Sequence, residues 1–180
     1  MLNLQSRLKG NNKDKKYTET RVAIREKLLT EEVAELASNL RNQKVCKVTF
    51  PNQGILHEMN LSITPSERLY KVGVFKFTIS VPPEYNHVPP TAKCLTRVWH
   101  PNITEEGAIC LSILRENSLD SFGWSPTRKI SDVVHGLASL FTDLIDFDDP
   151  LNQTAADEYL RNRESFERKV QDYTRKYARN

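Results

Sequence analysis

Apolar side chains recur at roughly helical spacing through residues 20–42, and charged side chains occupy most of the positions between them. The apolar positions are Val22, Ile24, Leu28, Leu29, Val33, Leu36 and Leu40. This pattern predicts an amphipathic helix of about five turns that starts at Thr20 and packs on the domain through its apolar side.

Residues 1–19 are polar and charged and show no sustained period, which predicts a flexible extension in front of this helix. The extension still contains apolar residues, namely Met1, Leu2, Leu4 and Leu8. Two interpretations fit them equally well. They form a short peptide that docks in a partner's groove, or they belong to an ordinary frayed terminus.

Four short runs with a period near two follow the helix, at residues 45–50, 56–63, 73–81 and 92–95. Consecutive short strands joined by turns predict an antiparallel meander. In the third run, Phe75, Phe77 and Ile79 share one face, as expected for a side that faces the core. Cys46 and Cys94 lie within strands, so burial is the expected state of both thiols.

A long irregular segment and then helices make up the second half of the chain. Residues 130–145 carry apolar side chains around most of a helical circumference, which predicts a buried helix. Residues 146–152 form an acidic turn, and two further helices are predicted near 153–160 and 164–177. The predicted fold class is α+β, with an N-terminal helix, a four-stranded antiparallel meander, an irregular loop and C-terminal helices.

Length and composition bound the class of protein. A chain of 180 residues suits one domain, and a net charge of +3 is too mild to indicate nucleic-acid binding. No secretory signal is present, and no apolar run approaches the ~18 residues of a membrane span. Three cysteines without a CxxC pair predict free thiols in a reducing compartment, the cytoplasm or the nucleus, and no metal site is expected.

Cys110 is the candidate reactive residue, because it stands at the end of an irregular stretch that starts at Arg97. Pro101-Asn102 and Gly107 mark that stretch as a loop. Cysteine is the side chain most easily made into a nucleophile near neutral pH, and the Asn102 amide is a donor that an oxyanion can use. A buried cysteine behind a surface loop is the alternative that these residues leave open.

Four spaced motifs give the chain a resemblance to a known family. They are His100-Pro101-Asn102, Cys110 eight residues after the asparagine, Trp124-Ser125-Pro126 and Asp148-Asp149-Pro150-Leu151. Over residues 20–178 their order resembles the ubiquitin-conjugating enzyme family. Within it, the Met-Leu-x-Leu start, the insertion between Cys110 and Trp124 and residues 141–152 resemble the metazoan-type conjugating enzymes of neddylation. The loop residues Asn86 and His87 depart from the general family pattern, so specialised ligase contacts are expected.

The resemblance implies a transferase reaction with a thioester intermediate on Cys110. An activating enzyme passes a ubiquitin-like modifier to this thiol, and a substrate lysine then attacks the thioester to leave an isopeptide bond. A thiolate both attacks and leaves well, which suits a carrier of acyl groups. The family pattern implies that Asn102 supports the oxyanion or orders the loop, and that His100 and Pro101 are structural.

The acidic turn matches the family's acidic position at Asp149, with Asp146 and Asp148 close by. A lysine amine with a pKa near ~10.4 must lose a proton before it attacks, and a neighbouring carboxylate can orient it and accept that proton. The resemblance therefore implies that Asp149 serves the acceptor lysine. The alternative is a solvated turn that caps the following helix.

Partners and domain organisation follow from the same resemblance. Residues 1–19 are expected to be a docking extension and residues 20–180 the catalytic core domain. A heterodimeric activating enzyme and a cullin-neddylation accessory protein are the expected partners of Met1, Leu2, Leu4, Arg21, Arg25 and Lys27. A RING-type ligase is expected at His87, Ser125 and Pro126. Cullins are the expected substrates, no cofactor is expected, and the expected location is both cytoplasmic and nuclear.

Three other functions compete with this one. A conjugating enzyme for ubiquitin itself has the same fold and differs in the activating enzyme that charges it. A non-catalytic binding module lacks the cysteine, whereas Cys110 is present with its His-Pro-Asn motif. A cysteine hydrolase requires a histidine base oriented by Asp or Asn, together with a substrate cleft.

Overall fold

A computed structural model describes residues 4–116, 122–147 and 149–179, with side chains from residue 13 onward. The elements, in chain order, are α1 (Leu4–Leu40), β1 (Cys46–Thr49), β2 (Glu58–Ile63), β3 (Phe75–Ser80), β4 (Thr91–Cys94), a 3-10 helix (Ser112–Leu114), α2 (Ile130–Ser139), α3 (Gln153–Arg161) and α4 (Arg163–Tyr177). The α+β class and the order of elements predicted from the sequence are confirmed.

The four strands form one antiparallel sheet in sequence order, β1-β2-β3-β4. In β3 the side chains of Phe75, Phe77 and Ile79 are buried while Lys76 and Ser80 are exposed, as a period of two requires. One face of the sheet therefore supplies the core, and the predicted meander is confirmed. The observed strand ends differ from the predicted ones by two residues or fewer.

The first helix begins at Leu4 rather than at Thr20, so the segment in front of the predicted helix is helical from that residue on. Residues 13–20 are all exposed, and among the described side chains of α1, those from residue 13 onward, the first buried one is that of Arg21. Apolar periodicity reports burial, and a helical segment that packs on nothing carries no such period. That is why the sequence pattern placed the start of the helix too late.

The buried stripe of α1 also differs from the predicted one. Leu29 and Leu36 are in the core, but Ile24 is 39% exposed. Arg25 and Arg21 occupy the buried positions one turn and two turns before Leu29. Residues four apart lie on one face of a helix, so these side chains form a continuous row and Ile24 lies beside it. The expectation that Ile24 faces the core is wrong.

The second helix ends at Ser139, six residues before the predicted end. The amide of Leu144 donates to the carbonyl of Ser139 at 3.0 Å, and the carbonyl of Leu140 instead contacts His100 Nε2 at 2.6 Å. The apolar side chains of Leu140 and Phe141 are still buried, but in a turn. Burial of apolar residues beyond Ser139 therefore gave the appearance of a longer helix.

The last two helices are confirmed within a residue of their predicted bounds. Asn162 separates them, and its side chain accepts a hydrogen bond from the amide of Ser165 to begin α4. Phe166 and Val170 of α4 are fully buried, whereas most of its charged residues face solvent. Within the described part of the chain, no helix combines the length and apolar content that a bilayer crossing requires.

Candidate active site

The loop that carries Cys110 is held by its own backbone. Ile103 pairs with both His100 and Ile109 in isolated antiparallel bridges, and the amide of Cys110 donates to the carbonyl of Asn102 at 2.8 Å. At Gly107 φ is +91°, and a Cβ there would overlap the carbonyl oxygen of Cys94 at the end of β4. Glycine is required at this position, because it alone tolerates both the backbone conformation and the close approach to the sheet.

His100 lies fully buried at the base of this loop. Its Nε2 contacts the carbonyl of Leu140 at 2.6 Å, and its Nδ1 accepts from the amide of Asn102 at 2.9 Å. A carbonyl only accepts, so the ring is neutral with its proton on Nε2. Burial lowers the pKa of this imidazole from 6.5 to about 4, which agrees with the neutral ring. Both nitrogens are occupied by backbone groups, so the ring has no nitrogen to offer Cys110.

Asn102 joins the cysteine loop to the acidic turn. Its side-chain Nδ2 donates to the carbonyl of Asp146 and its Oδ1 accepts from the amide of the same residue, each at 2.9 Å. The side chain is almost completely buried. Pro101 also links the cysteine loop to the acidic turn, because its carbonyl accepts a hydrogen bond from the amide of Asn152 at 2.7 Å.

The three thiols have different environments. Cys46 and Cys94 are buried, as predicted, and burial raises their pKa values to about 11 and about 12. Cys110 is partly exposed and opens on a shallow cavity of about 340 Å³. The surface-loop alternative with a buried Cys110 is therefore wrong, and this is the thiol that a partner can reach.

Charged and apolar side chains meet at the cavity beside Cys110. Its lining includes Asn102, Arg115, Phe122, Leu144, Asp146 and Asp149. Phe122 is 68% exposed and Leu144 is 53% exposed, so an apolar rim stands next to the thiol. Among the described residues, no three His, Cys, Asp or Glu side chains are grouped closely enough to hold a metal ion.

Arg115 is a site residue that the sequence reasoning missed. Its Nη2 donates to Cys110 Sγ at 2.8 Å, and the same nitrogen is 3.7 Å from Asp149 Oδ2. The sequence showed only a basic residue at the start of a polar insertion. The 3-10 helix Ser112–Leu114 turns the chain back toward the thiol, and the amide of Arg115 donates to the carbonyl of Ser112 at 2.9 Å.

The acidic turn lies across the cavity from Cys110 and is open to solvent. Asp146 and Asp149 are exposed, and the amide of Asp149 donates to Asp146 Oδ1 at 3.2 Å. Asp148 lies outside the described residues. The side chain of Asn152 caps α3 by accepting from the amide of Ala155 at 3.2 Å, so neither described aspartate serves as the cap of that helix.

Two loops predicted to face a ligase lie side by side. The side chain of Asn86 donates to the carbonyl of Pro126 at 2.7 Å, and the indole of Trp124 donates to the carbonyl of Asn86 at 2.8 Å. His87 and Pro126 are exposed and Ser125 is partly exposed. The structure thus brings all three predicted residues to one surface.

The residues predicted to meet the activating enzyme differ in exposure. Arg21 donates to the carbonyls of Glu84 and Tyr85 at 2.9 and 2.8 Å, and Arg25 donates to the carbonyl of Val81 at 3.0 Å. Both arginines are buried and bind the loop after β3, so little of either side chain is exposed to a partner. Lys27 is exposed. Met1 and Leu2 lie outside the described residues, as does the side chain of Leu4.

Comparison with known proteins agrees with this geometry. Residues 28–174 match the family described as ubiquitin-conjugating enzyme. The NEDD8-conjugating enzyme ubc-12 of Caenorhabditis elegans is 56% identical over 180 residues, which cover 99% of this chain and 100% of that protein. The NEDD8-conjugating enzymes UBE2F of Gallus gallus and Homo sapiens are 58% and 57% identical over 159 residues, which cover 88% of this chain and 85% of each relative. The chain belongs to the ubiquitin-conjugating enzyme family.

Proposed function

We propose that this enzyme is a conjugating enzyme of neddylation, which takes NEDD8 as a thioester on Cys110 and transfers it to lysines of substrate proteins. The observation that carries the choice of modifier is the set of relatives that span most of the chain and are named NEDD8-conjugating enzymes. The alternative, a conjugating enzyme for ubiquitin itself, has the same fold. It is not supported by the names of these three relatives.

Cys110 is the nucleophile in this proposal, because it is the accessible thiol of the three. The incoming acyl group is already an activated thioester, so transfer from one sulfur to another needs no histidine base. The engagement of both nitrogens of His100 by backbone groups fits such a reaction. A hydrolase of the cysteine-histidine type needs the opposite arrangement, with an imidazole nitrogen directed at the sulfur.

Asn102 orders the loop in the uncharged enzyme. The two hydrogen bonds between its side chain and the backbone of Asp146 support this role, because they fix the acidic turn relative to Cys110. Support of the oxyanion requires an amide hydrogen directed at the thioester carbonyl. In the uncharged enzyme the side chain is engaged with the turn instead.

Asp149 orients the acceptor lysine. Its side chain is 81% exposed at the edge of the cavity that contains Cys110, so a lysine from another protein can reach it. A carboxylate there attracts the ammonium form and accepts the proton that the amine must lose. Asp146 lines the same cavity and shares the negative charge.

Partner surfaces follow from exposure. The exposed residues 13–19 of α1, which include Tyr17 at 63% exposure, belong to the docking extension and offer accessible side chains to a partner. The activating enzyme binds this extension together with Lys27, and an accessory protein of cullin neddylation binds the same extension. The surface of His87, Ser125 and Pro126 binds a RING-type ligase, with cullins as substrates in the cytoplasm and the nucleus.

The variants Lys27→Ala and Arg25→Ala form a matched pair that tests the surface proposed to bind the activating enzyme. Lys27→Ala is expected to slow charging without changing the free energy of unfolding, because the side chain is exposed. Arg25→Ala is expected to destabilise the fold, because its guanidinium holds the carbonyl of Val81. Charging rates and urea midpoints measured on both variants separate the two effects. Charging of Lys27→Ala at the wild-type rate would remove Lys27 from this surface.

A charging assay tests the proposed function. The protein is incubated with ATP and with either the NEDD8 or the ubiquitin activating enzyme and modifier, and the products are separated on non-reducing gels. We expect a reductant-sensitive adduct with the NEDD8 pair, absent from Cys110→Ala and present in the buried-thiol control Cys46→Ala. An adduct with ubiquitin alone would contradict the choice of modifier, and an adduct that persists in Cys110→Ala would contradict the nucleophile.

A further inference from the structure

The guanidinium of Arg115 lies between the reactive thiol and the carboxylate proposed to serve the acceptor lysine. Its Nη2 is 2.8 Å from Cys110 Sγ and 3.7 Å from Asp149 Oδ2. Among the described residues, the charged groups that line this cavity are Arg115, Asp146 and Asp149. Within this described set, Arg115 is the cation beside two carboxylates and a sulfur that must carry negative charge.

We infer that Arg115 is a further catalytic residue of the transfer reaction, because it donates a hydrogen bond to the reacting sulfur and stabilises the thiolate. The inference rests on the proposed role of Cys110 as the acyl carrier. It assigns Arg115 a second action, in which the same guanidinium positions Asp149. Neither action requires a cofactor or a residue from another chain.

The sulfur of Cys110 carries negative charge at two points in the reaction, during charging and during discharge. During charging, the Cys110 thiolate attacks the carbonyl carbon of the incoming thioester, a new carbon–sulfur bond forms, and the thiolate of the activating enzyme leaves. During discharge, the lysine nitrogen attacks that carbon and gives a proton to Asp149 or water. The carbon–sulfur bond then breaks and its electron pair returns to Sγ. A cation in contact with Sγ stabilises the thiolate in both steps.

An arginine suits this position better than a lysine does. The planar guanidinium fixes the directions of the two N–H donors on Nη2, the nitrogen that lies near both the sulfur and the carboxylate. Its charge also persists at any pH at which the enzyme works. A purely structural surface ion pair with Asp149 would leave the sulfur untouched, whereas Nη2 is closer to Sγ than to the carboxylate.

Alkylation of the free protein tests the first action without any modifier or partner. The rate at which iodoacetamide modifies Cys110 is measured by mass spectrometry as a function of pH, since alkylation reports the thiolate. Arg115→Ala is expected to react about threefold more slowly at pH 7, the size of effect typical of a partly exposed charge pair.

Two further variants make this result specific. Arg115→Lys retains the charge and is expected to lie between Arg115→Ala and wild type. Arg161→Ala removes an exposed arginine of α3 whose nearest carboxylate, that of Asp157, is 4.0 Å away, and it is expected to match wild type. Alkylation of Arg115→Ala at the wild-type rate across the whole pH range would overturn the inference. Failure of the charging assay with NEDD8 would leave the alkylation result unaffected, so the two failures can be told apart.

Discharge to free lysine tests the second action. Thioester-charged protein is mixed with lysine and loss of the adduct is followed in a single turnover. Arg115→Ala is expected to discharge more slowly, and its effect is expected to be smaller in an Asp149→Asn background because the two side chains act on the same step. Equal effects of Arg115→Ala in both backgrounds would show that the arginine does not act through Asp149.

Discussion

At the scale of single residues, the side chains of the His-Pro-Asn motif bind backbone groups. His100 and Asn102 use four hydrogen bonds to reach Leu140, Asp146 and the amide of Asn102 itself. These bonds join the cysteine loop to the segment between α2 and α3, and each partner is a backbone group that would otherwise need water. The histidine and the asparagine of the His-Pro-Asn motif thus set the position of Cys110 without contacting its sulfur in the free enzyme.

The neutral state of His100 predicts a pH dependence of stability. The folded protein keeps the ring unprotonated down to about pH 4, whereas the unfolded chain protonates it near pH ~6.5. The unfolded state therefore binds more protons between these values, and stability is complete above about pH 6.5 and falls as pH decreases through the window. His100→Gln keeps a donor for the Leu140 carbonyl but does not titrate. Urea midpoints of the variant should depend less on pH between 6.5 and 4, and an unchanged slope would contradict the assignment.

Asn102 offers a second prediction at this scale. Asn102→Ala removes both hydrogen bonds to the backbone of Asp146 and is expected to cost about 2 kcal/mol of unfolding free energy. Discharge to lysine is expected to slow in parallel, because the acidic turn loses its fixed position. Urea unfolding and single-turnover discharge measure the two effects. A variant with normal stability and slow discharge would instead assign the side chain to the oxyanion.

At the scale of elements, α1 is joined to the rest of the domain by polar side chains within its buried row. Arg21 and Arg25 bind carbonyls of the loop after β3. One turn beyond Leu29, Glu32 accepts from the hydroxyl of Tyr85 at 2.7 Å and from the amide of Ile130, the first residue of α2, at 2.9 Å. A carboxylate at a helix start satisfies an amide that lacks an intrahelical partner and interacts favourably with the helix dipole.

Glu32 and its neighbour Glu31 give a matched test of this packing. Glu32→Ala leaves the Tyr85 hydroxyl and the Ile130 amide without their partner, so we expect a loss of about 2 kcal/mol of unfolding free energy. Glu31 is exposed on the same helix, and Glu31→Ala is expected to change stability by no more than about 0.5 kcal/mol. Thermal or urea unfolding of both variants decides the matter. Equal effects would show that Glu32 does not join the two helices.

At the scale of the whole molecule, one core connects the sheet, α1, α2 and the C-terminal helices. Its largest fully buried side chains come from the sheet, α1, α4 and the loops, among them Tyr70, Phe75, Phe77, Phe141, Phe166 and Leu29. The second helix adds the smaller buried side chains of Ile130, Val133, Val134 and Leu137. The exposed residues 13–20 contribute nothing to that core. Among the described side chains of α1, those buried in the domain therefore begin at Arg21, and the docking proposed for the extension lies before that residue.

Removal of residues 1–19 tests this separation. We expect the shortened protein to unfold within about 1 kcal/mol of the full chain, because residues 13–20 bury no side chain. We expect it to be charged more slowly, because the docking extension is lost. Unfolding by urea and charging by the activating enzyme measure the two properties. Normal charging and normal ligase affinity would contradict the docking role, and a large loss of stability would contradict the boundary.

The sequence by itself determined the parts of this protein that depend on local periodicity and on spaced motifs. Alternation of apolar and polar residues is a direct consequence of strand geometry, so the meander and the face of Phe75, Phe77 and Ile79 were predictable. The family motifs around Cys110 and Asp149 could be recognised and gave the candidate site, because each lies within a short stretch of chain. The early start of α1 was missed since an exposed helix has no apolar period.

Only the tertiary structure decided which polar side chains are buried and what they bind. Arg21 and Arg25 look like surface charges in the sequence, yet carbonyls of a loop about 60 residues away make their burial favourable. The end of α2 at Ser139 depends on a histidine 40 residues earlier that takes the carbonyl of Leu140. Arg115 reaches the thiol because a 3-10 helix turns it back. Such partners are close in space but not in sequence, and local patterns carry no information about them.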